Sequence, residues 1–215
     1  MTIKIFHVSN DRFENQCYLI YHNNTGILID PAWNYTLIDN FLKDQQIILK
    51  DILLTHSHKD HTNLAKEFAE KYHVSVFMSS VEIDDYGFDC VNLKRANHLE
   101  EIVFENFKIV PIHTPGHTSG SMCYLTEENL FSGDTVFIEG VGKCDTKGSD
   151  VNQMYDSIQF LKQYLPQNTL FWPGHSYGEL PGQSLEFLLT NNIYFQLNER
   201  KHFVAFRMRN VNRSV

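Results

Sequence analysis

The chain has 215 residues, 42% hydrophobic and 20% charged, with 26 acidic against 18 basic residues and a formal net charge of −8. That length suits one folded unit with a sizeable core, so residues 1–215 are read as a single domain. Abundant aromatics and ordinary glycine content exclude disordered and fibrous classes, and the apolar runs fall far short of the ~20 residues of a membrane span.

The opening residues 1–8 hold no long apolar leader, so a cytoplasmic location with reduced thiols is expected for Cys17, Cys90, Cys123 and Cys144. Charge is uneven along the chain. Arg200, Lys201, Arg207, Arg209 and Arg213 make residues 200–215 basic and free of acids, while the preceding body is acidic. Such a body argues against a nucleic-acid partner.

Residues 3–8, 16–22 and 26–29 read as strands, the last two joined by a turn at 23–26. Leu37, Ile38, Phe41 and Leu42 mark one face of a helix over residues 35–44. A buried strand at 51–55 leads through a polar loop to a helix at 63–72, then to a short apolar strand at 74–78. Strands at 101–104 and 107–112 flank Glu105-Asn106, and those at 121–125 and 129–131 form a second pair. Met154, Ile158, Leu161 and Leu165 predict a helix over 151–165, followed by a strand at 169–172 and a short helix at 183–190. Strand meanders interrupted by single helices predict an α/β sandwich, with helices covering the outer faces of its sheets.

Ligand chemistry concentrates just after the strand at 51–55. His56, His58, Asp60 and His61 fall within six positions as His-x-His-x-Asp-His. Imidazole nitrogen and carboxylate oxygen are donors that Zn²⁺ and Fe²⁺ accept. In extended chain His56 and His58 point the same way, and Asp60 and His61 approach from beside them. A polar loop capping the next helix through Thr62 or Asn63 needs no such cluster. Three further turns each place a ligand-type residue beyond a predicted strand: His113 and His117 in 113–120, Asp134 in 131–135, and His175 in 171–175. A rigid scaffold presents a site from one edge of its sheets in this way.

These motifs resemble the metallo-β-lactamase superfamily from residue 1 to about 180, in a pattern similar to glyoxalase II and related thioester hydrolases. The resemblance implies a four-layer αβ/βα sandwich with a metal pair, two Zn²⁺ per chain, at the sheet edges; Fe²⁺ or a mixed pair also suits the ligand types. It implies His56, His58 and His117 on the first metal, Asp60, His61 and His175 on the second, and Asp134 bridging. His113 has no ligand counterpart and is expected to hydrogen-bond or to serve structure alone. A hydroxide held between the metals would attack an acyl carbonyl, with Asp60 also holding the nucleophile's proton. True β-lactamases of the superfamily carry Cys or Ser in place of the bridging Asp and are exported, and the flavodiiron branch has Glu where His58 stands. The nuclease branches need extra nucleic-acid-binding elements.

Residues 140–145 resemble the glyoxalase II segment whose basic residue binds the glutathione carboxylate. Lys143 keeps that charge, but Asp145 stands where an aromatic is usual, and only 40 residues follow His175. The segments at 173–178, 192–195 and 202–209 resemble the zinc-dependent acyl hydrolases encoded with trans-acyltransferase polyketide synthases of the bacillaene type. That likeness implies hydrolysis of acyl groups carried on acyl carrier proteins. Arg207 and Arg209 alternate with Phe206 and Met208, so a terminal strand with one cationic face is expected to dock the acidic carrier or its phosphate. The rival likeness is to persulfide dioxygenases, which use one Fe²⁺ and have Arg where Lys143 stands; a lysine offers no bidentate fork to a carboxylate.

Overall fold

A computed structural model describes residues 1–104 and 106–209. Strands β1 (Thr2–Ser9), β2 (Glu14–His22) and β3 (Thr25–Ile29) form an antiparallel meander. Helix α1 (Tyr35–Asp44) leads to β4 (Ile48–Leu53). The short α2 (Lys59–Thr62) and α3 (Ala65–Tyr72) lead to β5 (Ser75–Ser79), and α4 (Ser80–Tyr86) leads to β6 (Leu93–Ala96). Strands β3 to β6 pair in parallel and complete a six-stranded sheet in chain order.

The second sheet contains β7 (Ile102–Phe104), β8 (Phe107–His113), β9 (Met122–Thr126), β10 (Asn129–Gly133), β11 (Leu170–Pro173) and β12 (Gln183–Ser184), in the order β12-β11-β10-β9-β8-β7. Helix α5 (Val151–Tyr164) is the crossover between the parallel pair β10 and β11. Helices α6 (Leu185–Asn191), α7 (Ile193–Gln196) and α8 (Arg200–Met208) follow.

The period-two alternation of the strands sorts their side chains into layers. Tyr18, Ile20, Ile27, Ile29 and Leu53 of the first sheet meet Ile109, Met122, Tyr124 and Phe131 of the second in a shared central core. Their neighbours Cys17, Leu19 and Leu28 face outward and pack with Ile38 and Leu42 of α1 and Phe68 of α3. On the far side Met154, Ile158 and Leu161 of α5 cover Ile112, Cys123 and Phe171. Helix, sheet, sheet, helix is the expected four-layer αβ/βα sandwich. Both faces of β3 are covered, which is why it is wholly apolar rather than alternating. The four cysteines are free and buried, and no helix of the described residues is long and apolar enough to cross a membrane.

Several expectations change, among them the helix expected at 183–190, which starts at Leu185 after the two residues of β12. The helix expected at 63–72 starts at Ala65, because Lys59–Thr62 forms its own turn and carries Asp60 and His61. Helix α4 and strand β6 were not foreseen; α4 has only seven residues and no apolar stripe long enough to read. The terminal strand carrying Arg207 and Arg209 is instead helix α8. Its Phe203 is fully buried among Tyr155, Tyr194 and the rest of the second outer core, and helical spacing then brings Phe206 onto the Tyr194 ring. Arg200 is tied to Asp156 and to the Asn152 carbonyl of α5. Glu105 and Arg213 lie outside the described residues.

Truncating Phe203 to Ala should cost about 3–5 kcal/mol of stability, as expected for a fully buried aromatic. Denaturant melts would read this as a lower midpoint. An unchanged midpoint would mean that α8 is not part of the cooperative core.

Candidate metal centre

The turns that follow β4, β8, β10 and β11 lie at one edge of the sandwich and carry the ligand-type residues. His56 and His58 follow β4, and Asp60 and His61 sit in the single turn of α2. His117 lies beyond β8, Asp134 directly follows Gly133 at the end of β10, and His175 follows Gly174 after β11. All seven side chains predicted from sequence converge here.

His58 Nδ1 lies 3.0 Å from both His56 Nε2 and His117 Nε2. A second group forms around Asp60: its Oδ2 is 3.6 Å from His61 Nε2 and 3.5 Å from His175 Nε2. Asp134 stands between the two groups. Its Oδ2 is 3.5 Å from His117 Nε2, while its Oδ1 is 3.3 Å from His61 Nε2 and 3.5 Å from His175 Nε2. One carboxylate therefore presents one oxygen to each group.

The glycines beside these ligands are required by contact. Gly133 has φ +48°, and a Cβ there would lie 2.4 Å from Thr55 Oγ1. At Gly174 a Cβ would lie 2.5 Å from His61 Cε1 and 2.7 Å from Asp134 Oδ1. The Ser-Gly-Asp and Pro-Gly-His turns owe their glycines to this crowding.

The outward nitrogens explain why the inward ones face each other. His61 Nδ1 lies 3.0 Å from Asp30 Oδ2, His117 Nδ1 2.8 Å from the Lys143 carbonyl, and His175 Nδ1 2.5 Å from the Glu14 carbonyl. Thr55 Oγ1 donates to Asp30 Oδ2 at 2.6 Å, so it can accept from His56 Nδ1 at 3.1 Å. With the outer N–H groups so engaged, the inner nitrogens of His56 and His117 present lone pairs, while those of His61 and His175 face the carboxylates of Asp60 and Asp134. One proton on His58 Nδ1 can satisfy only one of its two neighbours, whereas a cation among the three nitrogens satisfies them all. Asp134 Oδ1, moreover, is buried with no hydrogen-bond partner. A nitrogen and oxygen set of this kind fits Zn²⁺, and it equally admits Fe²⁺.

The electrostatics divide along the same line. Burial and the neighbouring histidines hold His56 well below its ordinary pKa, and they also lower His58. These rings are neutral and ready to ligate. In the second group burial alone would lower His175, but the facing carboxylates of Asp134 and Asp60 push it up to about 10. Burial likewise opposes the rise of His61, and Asp134 and Asp30 outweigh it. Against its own desolvation, Asp60 is held down to about 2 by His175, His61 and Asn15. His61 and His175 hold Asp134 well below the usual carboxylate range in the same way.

The outer supports were not foreseen from sequence. Asp30, in the left-handed region at φ 49° just after β3, accepts from both the Thr55 backbone and hydroxyl. Asn15 donates to Asp60 Oδ2 at 3.2 Å and is oriented by Trp33 Nε1. Glu82 of α4 is completely buried and accepts four hydrogen bonds: Ser57 N, Ser57 Oγ, Thr118 Oγ1 and Gly120 N, at 2.8, 2.6, 2.8 and 3.1 Å. It thus joins the loop of His56 and His58 to the loop of His117. Asp30 follows an apolar run and carries a weak sequence signal; Glu82 carries none. His113 stays outside the cluster and bonds the Ser119 carbonyl at 2.9 Å, the non-ligating role expected of it.

The remaining basic residues lie beside the His117 end. Lys143 has an exposed side chain, although its carbonyl holds His117. Arg207 is half-buried and donates from Nε to the Gly142 carbonyl at 2.8 Å, so it fastens the 140–145 segment. Arg209 is exposed and stacks its guanidinium over Phe206, 4.0 Å from the ring centre.

Comparison with known proteins places these features in context. Residues 10–175 match the family described as the metallo-beta-lactamase superfamily. A Bacillus velezensis protein named "Probable polyketide biosynthesis zinc-dependent hydrolase BaeB" is 46% identical over 96% of this chain and 92% of its own. A hydroxyacylglutathione hydrolase of Shewanella loihica is 33% identical over 82% of this chain and 66% of its own. Among solved structures, ETHE1 from Myxococcus xanthus superposes with a TM-score of 0.86 at 26% identity, covering 99% of this chain and 92% of its own.

Replacing Glu82 with Ala strands the four donors it satisfies and uncouples the two histidine loops. Metal affinity should fall about 10–100-fold, the usual effect of losing an outer support. Chelator competition on the folded variant measures this; wild-type affinity would show that the loops hold themselves.

Proposed function

The chain belongs to the metallo-beta-lactamase superfamily, and from that premise we propose that it is a zinc-dependent hydrolase of acyl thioesters with a binuclear centre. Its proposed substrates are acyl groups on acyl carrier proteins in polyketide biosynthesis. The observation that carries this reading is Asp134, whose two oxygens face two separate groups of ligand-type side chains.

In this reading His56, His58 and His117 would hold one ion and Asp60, His61 and His175 the other, with Asp134 available to both. Such an ion pair supplies Lewis acidity toward a carbonyl and lowers the pKa of water toward neutrality. The chain's own groups do the rest. Asp60 directs Oδ2 to His61, His175 and Asn15, which leaves Oδ1 to hold the hydrogen of the attacking water. Asp30 and the Lys143 carbonyl orient the rings of His61 and His117, and Glu82 holds the loops of His56, His58 and His117, so little reorganisation accompanies the reaction. The thiol leaves as thiolate, and no separate general acid is required.

The carrier is the finer part of the proposal. Lys143 and Arg209 offer exposed cations at the His117 end, while Arg207 holds the loop that presents Lys143. Acyl carrier proteins are acidic and present their thioester on a phosphate-bearing arm, which suits that flank. The name of the Bacillus velezensis relative supports the same assignment. Glutathione suits it less, because Asp145 adds a negative charge two positions from Lys143.

Two zinc per chain with hydrolysis of acyl-carrier thioesters is the expected result of metal analysis and a thioester panel. One iron with oxygen uptake on a persulfide would overturn the proposal. Asp134→Ala should lose the second equivalent of metal and lower kcat by a factor of about 100 or more, since it removes the group shared between the ions. Double charge reversal, Lys143→Glu with Arg209→Glu, should raise KM for acyl-carrier substrate about tenfold at low salt, and the effect should shrink as salt rises. A salt-independent KM equal to wild type would rule out the docking flank.

A further inference from the structure

The two flanks of the metal centre differ in shape and charge. At the His117 end lies the 140–145 segment with exposed Lys143, backed by α8 and Arg209. At the His175 end the surface opens into a cleft of about 340 Å³ whose lining includes Ser9, Glu14, Asn15, Gln16, Ser176 and Leu180. That volume is at the small end of the range for sites that hold small molecules. The cleft reaches the centre through three connections. Asn15 donates to Asp60 Oδ2, the Glu14 carbonyl lies against His175 Nδ1, and Ser176 directly follows His175.

We propose that this cleft is the acyl subsite and that it takes an acyl chain bearing oxygen substituents. The assignment rests on the thioesterase reading above and adds the direction in which substrate lies. The two substituents of a thioester carbonyl diverge from the reacting carbon. If the phosphate-bearing thiol arm lies along the cationic flank, the acyl chain must leave on the other side, where the cleft begins.

The lining decides the chemistry. Gln16 Nε2 donates to Ser176 Oγ at 2.6 Å, which leaves the Ser176 hydrogen available to donate. Tyr18 gives its hydroxyl hydrogen to the Pro173 carbonyl at 2.5 Å, and its 3.5 Å approach to Gln16 Oε1 is too long to compete, so that oxygen remains an acceptor. A hydroxyl or keto group on the chain satisfies such a pair, whereas a plain alkyl chain would leave it unpaired. Leu180, 72% exposed, adds apolar contact at the mouth. Glu14 and Glu179 in the lining disfavour a carboxylate there.

The test compares acetyl, octanoyl and 3-hydroxyoctanoyl thioesters of an acyl carrier protein with zinc-loaded wild type, Ser9→Trp and Ser176→Ala. Ser9 is exposed at the end of β1, so the tryptophan fills the cleft without entering the core. Ser9→Trp should lower the ratio of kcat/KM for 3-hydroxyoctanoyl over acetyl at least tenfold. Ser176→Ala should lower the ratio for 3-hydroxyoctanoyl over octanoyl about 2- to 10-fold, the worth of one hydrogen bond. Wild type that hydrolyses these thioesters, with ratios unmoved in both variants at equal metal content, overturns the acyl subsite and leaves the thioesterase reading standing. Wild type that hydrolyses none of them overturns both.

Discussion

Three imidazole nitrogens meet within 3.0 Å contacts at His56, His58 and His117, and the rings of His56 and His117 have their outer nitrogens engaged with Thr55 and Lys143. A single proton on His58 Nδ1 can satisfy only one of its two neighbours, and the surrounding framework holds the cluster in this arrangement. Asp30 holds Thr55 and His61, Glu82 ties the two histidine loops together, and the Glu14 and Lys143 carbonyls fix His175 and His117. Buried polar groups are tolerated here because nearly every one is paired. The exception among the proposed ligands is Asp134 Oδ1, and it faces the centre.

The four-layer sandwich makes such an arrangement stiff. Each sheet reaches across to hold the other's functional loop. Tyr18 of the first sheet donates to the Pro173 carbonyl before His175, and Tyr124 of the second donates to the Leu54 carbonyl before His56. Burial pushes both phenols well above their ordinary pKa, so both remain protonated donors. A buried aromatic core surrounds these bonds. Ligand loops anchored from two rigid sheets lose little entropy on ordering, which is the condition for a preorganised site.

Around this rigid centre the surface is asymmetric. The chain is acidic overall, yet α8 and the 140–145 segment bring Lys143, Arg207 and Arg209 to one flank. One of these cations, Arg207, is spent on holding the Gly142 carbonyl and serves the loop rather than the solvent. The opposite flank is uncharged or acidic and concave. A substrate with an anionic arm and a polar chain meets complementary surfaces in only one orientation.

Much of this was legible in the chain itself. Two-residue alternation marked most of the strands, three- and four-residue spacing marked α1 and α5, and His56-x-His58-x-Asp60-His61 named a metal-type site before any fold was known. Ligand chemistry is carried by residue type, and local periodicity reports which faces are apolar, so both survive in a linear reading. Other features depended on packing. Phe206–Arg209 alternates like a strand, but burial of Phe203 against α5 and α7 makes the segment a helix and turns Arg207 inward. Glu82 sits in a short stretch without periodicity, and only the approach of α4 to two loops distant in sequence gives it four donors. Residue type along the chain was enough to name the atoms that could bind metal, and periodicity was enough to mark most strands and the helices α1 and α5. Tertiary structure alone decided which groups orient those atoms and which cations remain free, because hydrogen bonds between distant loops leave no periodic trace along the chain.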